Sequence, residues 1–479
     1  MPTTLAQSLH AWLPELIMSL GGMAVMLLGA CFRRRTPAAV GACSTVVAAA
    51  LSLLAAGPSR EVVFSGLVTL DAFSDVFRWL VLGVIGLVVL MAWRASDVEE
   101  SWTGELLGLV LLVGVGLMLM AQSTHLLMMV VAIELVSLSS YCLVALTRDA
   151  RSSEAGLKYL LFGALSSGIM LFGISLLYGL TGELGFSLLN AALARLGPAG
   201  VRAASVAAAL VLAGLAFKIS MVPFHMWTPD VYEGAPIAVA ALLSVGPKAA
   251  GLALLVRLAQ ALAPAWGALQ PLMVWLAILT MTLGNVVALL QTNVKRLLAY
   301  STIGQVGYLL IGVAVGTRVG LEAILVYLVA YLFMNLGAFA CVAAVHRETR
   351  DESLEAFRGL AGRSPVLALS FAVFLLSLAG IPPLVGFIGK FLLFGAAIEA
   401  HALWLAVAGA LNSAIALYYY VNLLRLMYLH NLDGPDRGRG PGLSLRVALG
   451  ICGVATVWLG LFPAGLLAWL RVVCYNARL

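Results

Sequence analysis

Fourteen apolar stretches, most of them near twenty residues long, divide this 479-residue chain, and charged side chains are nearly confined to the gaps between them. About twenty apolar residues is the length a helix needs to cross a hydrocarbon core about 30 Å thick. Within hydrocarbon each backbone amide and carbonyl must be paired internally, which leaves only helices or closed barrels. The stretches are continuous rather than alternating over about ten residues, which excludes a β-barrel. Composition agrees: 62% of the residues are hydrophobic and 10% charged, against about 25% charged in a soluble chain. The expectation is an all-α, polytopic membrane protein with about 14 transmembrane helices.

A window of about 19 residues places these spans at roughly 14–32, 38–56, 73–93, 103–122, 124–146, 157–180, 201–222, 236–262, 270–290, 300–316, 321–345, 365–398, 401–428 and 445–474. Of the 28 Lys and Arg residues, seventeen follow odd-numbered spans and seven lie on the opposite side. That bias puts the odd-to-even loops in the cytoplasm and both termini outside. It also accounts for the net charge of +6 without nucleic acid. The six cysteines, Cys31, Cys43, Cys142, Cys341, Cys452 and Cys474, lack zinc or iron–sulfur spacing and read as small buried hydrophobes. No phosphate loop or dinucleotide fingerprint is present. The first apolar run has no basic leader or clear cleavage site, so it reads as a retained helix.

Four ionisable residues fall deep within spans: Glu134, Lys218, Lys248 and Lys390. At 1.5 Å per residue, Glu134 and Lys248 lie roughly 15–18 Å from a helix end, near the midplane. An intramembrane charge is costly, about 2.5–3.5 kcal/mol on insertion scales, and such residues usually line an ion path. A structural Glu–Lys bond between helices is the alternative for any one of them.

Two of the spans are interrupted beside these lysines. Pro223 follows Lys218 by five residues, and Pro382-Pro383 precede Lys390 in AGIPPLVGFIGKFLLF. A proline removes its own amide bond and crowds the carbonyl four residues back. This frees carbonyls near Ile219 and near Leu378 and Ala379, and Gly380, Gly386 and Gly389 are expected to loosen the second break. The interrupted spans are the seventh and twelfth. Five is odd, so corresponding helices run in opposite directions, the expectation for two inverted five-helix repeats. The organisation expected is an N-terminal three-helix segment (1–102), two five-helix units (103–262 and 263–430), and a linker with the last span (431–479). Lys218 then corresponds to Lys390. The Ala- and Ser-rich second span suits close helix packing. The loop 347–364, RETRDESLEAFRGLAGRS, reads as a cytoplasmic surface segment, and HNLDGPDRGRGPG as a flexible linker. His125, His346, His401 and His430, near span ends, are expected to make interfacial hydrogen bonds.

FKISMVPFHMWTPDVYEGAP, LLSVGPKAAG, NVKRLLAYSTIGQVGYLL and GIPPLVGFIGKFLLF together resemble the antiporter-like membrane subunits of respiratory complex I, bacterial NADH–quinone oxidoreductase. VYEGAP and SVGPKAAG are more similar to subunit N than to its paralogues L and M. The resemblance covers spans four to thirteen and implies a proton relay: Glu134 paired with Lys218 on the input side, Lys248 as the central carrier, and Lys390 at the far end. His225, Asp230 and Glu233 either cap and shape the cytoplasmic loop or help deliver protons, with His225 the candidate among them for the relay. Gln305 departs from the histidine common in L and M. A glutamine takes up no proton near neutral pH, so passage there would need ordered water. The resemblance further implies a multi-pass protein of a bacterial inner membrane. Its partners would be lipid and other membrane-arm subunits. Flavin, iron–sulfur clusters and the quinone would reside on partner subunits, with no cofactor in this chain. A subunit of a multi-subunit sodium/proton antiporter is the competing expectation, and a structural scaffold a third.

Overall fold

The computed structural model describes residues 5–57, 61–429 and 440–476. A short α1 (Leu5–Ala11) leads into α2 (Leu13–Phe32) and α3 (Arg35–Ala56). A small antiparallel hairpin of β1 (Glu61–Val63) and β2 (Val68–Leu70), with Glu61 paired to Leu70, follows, and the chain is all-α in class as expected. Then come α4 (Ala72–Ala92), α5 (Thr103–Gln122), α6 (Leu126–Val144), α7 (Ala150–Thr181), α8 (Phe186–Leu193), α9 (Pro198–Ile219), α10 (Trp227–Gly234) and α11 (Ile237–Ala261). The remainder holds α12 (Ala263–Ala288), α13 (Val294–Val315), α14 (Arg318–Thr349), α15 (Leu360–Arg363), α16 (Pro365–Ala379), α17 (Val385–Glu399), α18 (Leu403–Leu429), α19 (Leu443–Leu461) and α20 (Ala464–Asn476).

Among the described residues thirteen helices are long and apolar enough to cross a membrane. The twelfth expected span is delivered as α16 and α17, fifteen residues each, and so completes the crossing only as a pair. The fourteenth, expected unbroken over 445–474, is instead α19 and α20, parted at Phe462 and Pro463. Pro463 supplies no amide and crowds the carbonyl of Leu459, a break signal that hydropathy alone passes over. The stretch 430–439, most of the expected linker and including His430, lies outside the described residues.

Breaks seven and twelve are built alike. Ser220 (φ 63°) ends α9 with its amide on the Ala216 and Phe217 carbonyls, and the Met221 amide reaches back to Ala216. Gly380 (φ 91°) ends α16 with its amide on Leu376 and Ser377, and the Ile381 amide reaches back to Leu376. Both are left-handed C-terminal closures that satisfy the helix's last carbonyls. The helices before the breaks, α7 and α14, are both 32 residues long. The same local construction thus recurs five spans later.

The glycines of the second break do not loosen it. A Cβ at Gly386 would lie 1.9 Å from the Ser377 carbonyl oxygen, and one at Gly389 would lie 2.2 Å from the Tyr327 ring. Their lack of a side chain is what lets α17 close onto α16 and α14. Ala38, Ala39, Ala42 and Ala49 of α3 are all buried, as small-residue packing requires. Nearly every side chain of α11 and α13 is buried, whereas α7 turns Leu157, Leu161, Leu165 and Phe172 outward. In a bilayer such apolar faces meet lipid tails.

The hydropathy reading left two buried charges uncounted. Glu15 of α2 and Arg78 of α4 are 0% and 1% exposed and form a two-pronged ion pair, at 2.7 and 2.8 Å. Gln122 of α5 donates to the same carboxylate and accepts from the Trp12 indole. This closed polar knot ties α2, α4 and α5 together. Nor is the loop after α14 simply a surface segment. Phe357 and Leu360 are fully buried, and Ser353 bridges to Asn293.

Candidate functional site

The α9 closure sets Lys218 in the last helical turn, fully buried. Its Nζ donates to Ser137 Oγ of α6 at 3.1 Å. Glu134 lies one turn before Ser137, is partly exposed, and accepts a hydrogen bond from Ser167 of α7. Among the described residues Glu134 and Lys218 form no ion pair within 4.0 Å, and it is Ser137, one turn further along α6, that Lys218 bonds. The expected input pair is therefore open, each member held by a hydroxyl.

Lys248 sits in the middle of α11, directly after Pro247, and is 0% exposed. Its Nζ has no hydrogen-bond partner among the described residues. What meets its charge is two rings of α10: Trp227, with its centroid at 4.7 Å, and Tyr232, at 5.4 Å. Aromatic faces attract a desolvated ammonium. The Trp227 indole donates to the Phe217 carbonyl at 3.0 Å, beside Lys218, so this residue stands between the first two lysines.

Lys390 of α17 takes the carbonyls that the proline pair leaves free. Its Nζ donates to Leu378 and Ala379, both at 3.0 Å, and lies 4.4 Å from the Tyr308 ring centroid. These two carbonyls stand four residues before Pro382 and Pro383, where an uninterrupted helix would have supplied amides.

Between Lys248 and Lys390 runs a line of buried polar side chains. Ser244, one turn before Lys248, accepts from Asn335 Nδ2 of α14 at 2.6 Å. Tyr331, one turn before Asn335, donates to Thr302 of α13 at 3.0 Å. Gln305, on the same face of α13, accepts from Tyr327 and donates to the Leu378 carbonyl at 3.1 Å, the carbonyl that Lys390 also occupies. Tyr420 of α18 joins Gln305 and Ser301. Beyond Lys390, Asn285 donates to Tyr308 and accepts from Tyr419. Sequence reasoning stopped at Gln305 and missed Ser244, Asn335, Tyr331, Thr302 and Tyr327. The available signal was spacing: Tyr327, Tyr331 and Asn335 recur every fourth residue and so share one helix face.

Asp230 and Glu233 point away from this line. Arg296 Nη1 of α13 touches both, at 2.8 and 2.7 Å; Lys158 reaches Asp230 at 2.9 Å and Arg151 reaches Glu233 at 2.7 Å. Arg151 extends the network to Glu352 at 3.7 Å, which Lys295 meets at 2.8 Å. Burial raises the Asp230 carboxyl's proton affinity, but the bonds from Lys158 and Arg296 outweigh it and hold the group below its ordinary range. Both acidic residues thus fasten α10. His225, in the α9–α10 connection, is buried, and its Nδ1 has no partner among the described residues. His125 behaves as a span-end histidine should: its Nδ1 accepts from the Leu127 amide and caps α6, and burial lowers its pKa. Among the described residues no three His, Cys, Asp or Glu side chains are grouped to hold a metal ion.

Lysines beside the two helix breaks and a third within an unbroken helix, with a polar line inside the bundle, are the arrangement expected of an antiporter-like membrane subunit. The family described as NADH:quinone oxidoreductase/Mrp antiporter, TM, matches residues 123–416. NADH-quinone oxidoreductase subunit N of Anaeromyxobacter sp. is 41% identical, over 95% of this chain and 94% of that one. A chain of respiratory complex I from Thermus thermophilus superposes with a TM-score of 0.80 at 34% identity, covering 95% of this chain and 98% of its own. A chain of the Mrp complex from Dietzia sp. reaches 0.86 at 23% identity, covering 99% and 98%. The fold is therefore common to both groups, and sequence separates them. The chain belongs to the NADH:quinone oxidoreductase/Mrp antiporter membrane-subunit family, on its subunit N branch.

Proposed function

We propose that this chain is a proton-translocating membrane subunit of NADH–quinone oxidoreductase, and that Glu134, Lys218, Lys248 and Lys390 are its proton carriers. The supporting observation is the buried polar line through Ser244, Asn335, Tyr331, Thr302 and Gln305, which runs from the central lysine to the far one. A lysine that loses its hydration gives up its proton more readily, and an approaching carboxylate reverses that. Closing Glu134 on Lys218 would load the input lysine; separating them, as in the state seen here, would release its proton toward Lys248.

Electron transfer belongs to partner subunits in this reading, with flavin, iron–sulfur clusters and quinone held there. The chain resides in a bacterial inner membrane among lipid and other membrane-arm subunits, both termini on the outer side, as the Lys and Arg bias supports. Residues 103–262 and 263–430 act as the two inverted halves, flanked by 1–102 and 431–479. His225 lines the cytoplasmic side of the first break and serves, if it carries protons, at the point of entry.

The test is the Lys248→Ala complex in sealed vesicles, driven by NADH. Assembly should survive and coupled proton pumping should be lost; undiminished pumping would sink the assignment. Sodium-dependent flux from the chain without an NADH-oxidising partner would favour the antiporter instead.

A further inference from the structure

α10 is only eight residues long, two turns, too short to hold its own place. Its position is set by what grips it on each side. On one side Trp227 and Tyr232 are buried, and Trp227 stacks on Tyr159 of α7 at 4.4 Å and 13°. These rings receive the Lys248 ammonium, which has no hydrogen-bond partner among the described residues. On the other side Asp230 and Glu233 are half-exposed and ion-paired. Lys158 and Arg151, both from α7, hold one carboxylate each. Arg296 alone holds both, and it comes from α13, in the other five-helix unit.

We infer that Arg296 is a positioning residue for the central lysine: by pinning α10 through Asp230 and Glu233, it keeps the Trp227–Tyr232 cage closed on Lys248. The inference rests on the relay reading and adds a mechanical dependence to it. The environment of a lysine in the first five-helix unit is governed by an arginine of the second. Arg296 sits at the start of α13, whose Thr302 and Gln305 lie on the polar line further along the helix. A shift of α13 would therefore act on the line and on the cage at once.

The chemistry of the contact defines the test. One nitrogen, Nη1, makes both ion pairs, so a two-pronged guanidinium is not required and a single ammonium can stand in. The experiment uses the whole complex in sealed membrane vesicles, with NADH as donor and a pH-sensitive dye reporting protons moved per NADH oxidised. Arg296→Ala is expected to lower that ratio about twofold or more, because a displaced cage no longer holds Lys248 in the geometry that favours its ammonium. Arg296→Lys should restore it. Trp227→Leu, which removes the ring, should lower it at least as far, Trp227→Phe less, and Arg296→Ala/Trp227→Leu no further than Trp227→Leu alone. If Arg296→Ala does not assemble, Asp230→Asn/Glu233→Gln removes the same tether from the other end and should show the same loss. An unaltered ratio in either tether variant, failure of lysine to rescue, or losses that multiply in the double variant would overturn the inference. Lys248→Ala, run alongside, separates the two levels. If it leaves pumping intact, the relay reading itself falls; if it abolishes pumping while the tether variants are unaffected, only the positioning role falls.

Discussion

The ammonium of Lys390 lies 3.0 Å from the carbonyl oxygen of Leu378, and that carbonyl is available because Pro382, four residues on, has no amide to offer it. The break and the charge are thus one device. The proline pair opens two acceptors, and a lysine from the next helical segment fills both. A buried ammonium without such acceptors would bear the full cost of leaving water. With them the cation is held by neutral dipoles rather than by a carboxylate, which leaves it free to lose its proton without stranding a buried negative charge.

Lys390→Arg separates these two roles. Arginine keeps donors for the Leu378 and Ala379 carbonyls but does not deprotonate at accessible pH. The expected outcome is a complex that assembles at normal levels on native gels yet pumps several-fold less per NADH. Lys390→Met loses the donors as well: the Leu378 carbonyl keeps its bond from Gln305, but the Ala379 carbonyl is left unpaired at about 1–3 kcal/mol, so assembly should also fall. Normal pumping by the arginine variant would remove Lys390 from the relay.

The polar line makes its own prediction at Gln305. Gln305→Leu removes donation to the Leu378 carbonyl and to Tyr420, and the acceptor for Tyr327. At about 1 kcal/mol per bond this costs about 2–4 kcal/mol in stability and interrupts the line. Gln305→His puts a group that titrates near neutral pH at the same point and should preserve pumping. Tyr331→Phe, which loses only the hydroxyl bonded to Thr302, should slow pumping with little change in stability. Dye-monitored proton uptake, paired with thermal melting of the purified complex, reads both effects.

The spans, the two breaks and the four ionisable residues within spans were legible because membrane insertion penalises charge and broken backbone so heavily that either one stands out against an apolar background. The proline offsets even located the carbonyls that Lys390 occupies. Other features were hidden for definite reasons. Glu15 and Arg78 lie 63 residues apart and neutralise each other only in three dimensions. Pro463 sits in a stretch apolar enough to pass as one helix. The cage on Lys248 comes from Trp227 and Tyr232, which look like ordinary aromatic residues until α10 folds back over α11. The open Glu134–Lys218 arrangement depends on side-chain placement, which spacing along two separate helices does not encode.

The Glu15–Arg78 knot should be structural, and unequal substitution exposes this. Glu15→Ala removes the two-pronged partner of the buried Arg78 guanidinium and leaves it only Asp75 at 3.4 Å and the Ala11 carbonyl, a loss of about 3 kcal/mol, the low end for breaking a buried pair. Replacing both ends with apolar residues, Glu15→Leu with Arg78→Met, removes the two charges together and should recover most of that stability. Thermal melting of the complex reads the difference. Pumping per NADH in whatever assembles should match the parent protein, since neither residue lies on the polar line. A specific pumping defect in the well-folded double variant would instead bring this knot into the relay.

Acid should act on α10 through Asp230. Its carboxyl is held below its ordinary value of 3.8 by Lys158 and Arg296, which outweigh burial. A depressed folded-state value means that the carboxylate's stabilising contribution is fully present above the ordinary value and disappears as pH falls through the lower folded one. Asp230→Asn should therefore melt earlier than the parent at neutral pH. The gap should stay constant on acidification until about pH 4, then narrow as the parent's own carboxylate is protonated. The loss at neutral pH should be modest, because the group is partly exposed and water screens its ion pairs. Melting curves of the two complexes between pH 7 and the acid limit of assembly check the sign. A gap that widens with acidification would mean that Asp230 is held protonated, and that Arg296 and Lys158 do not pin α10 by charge.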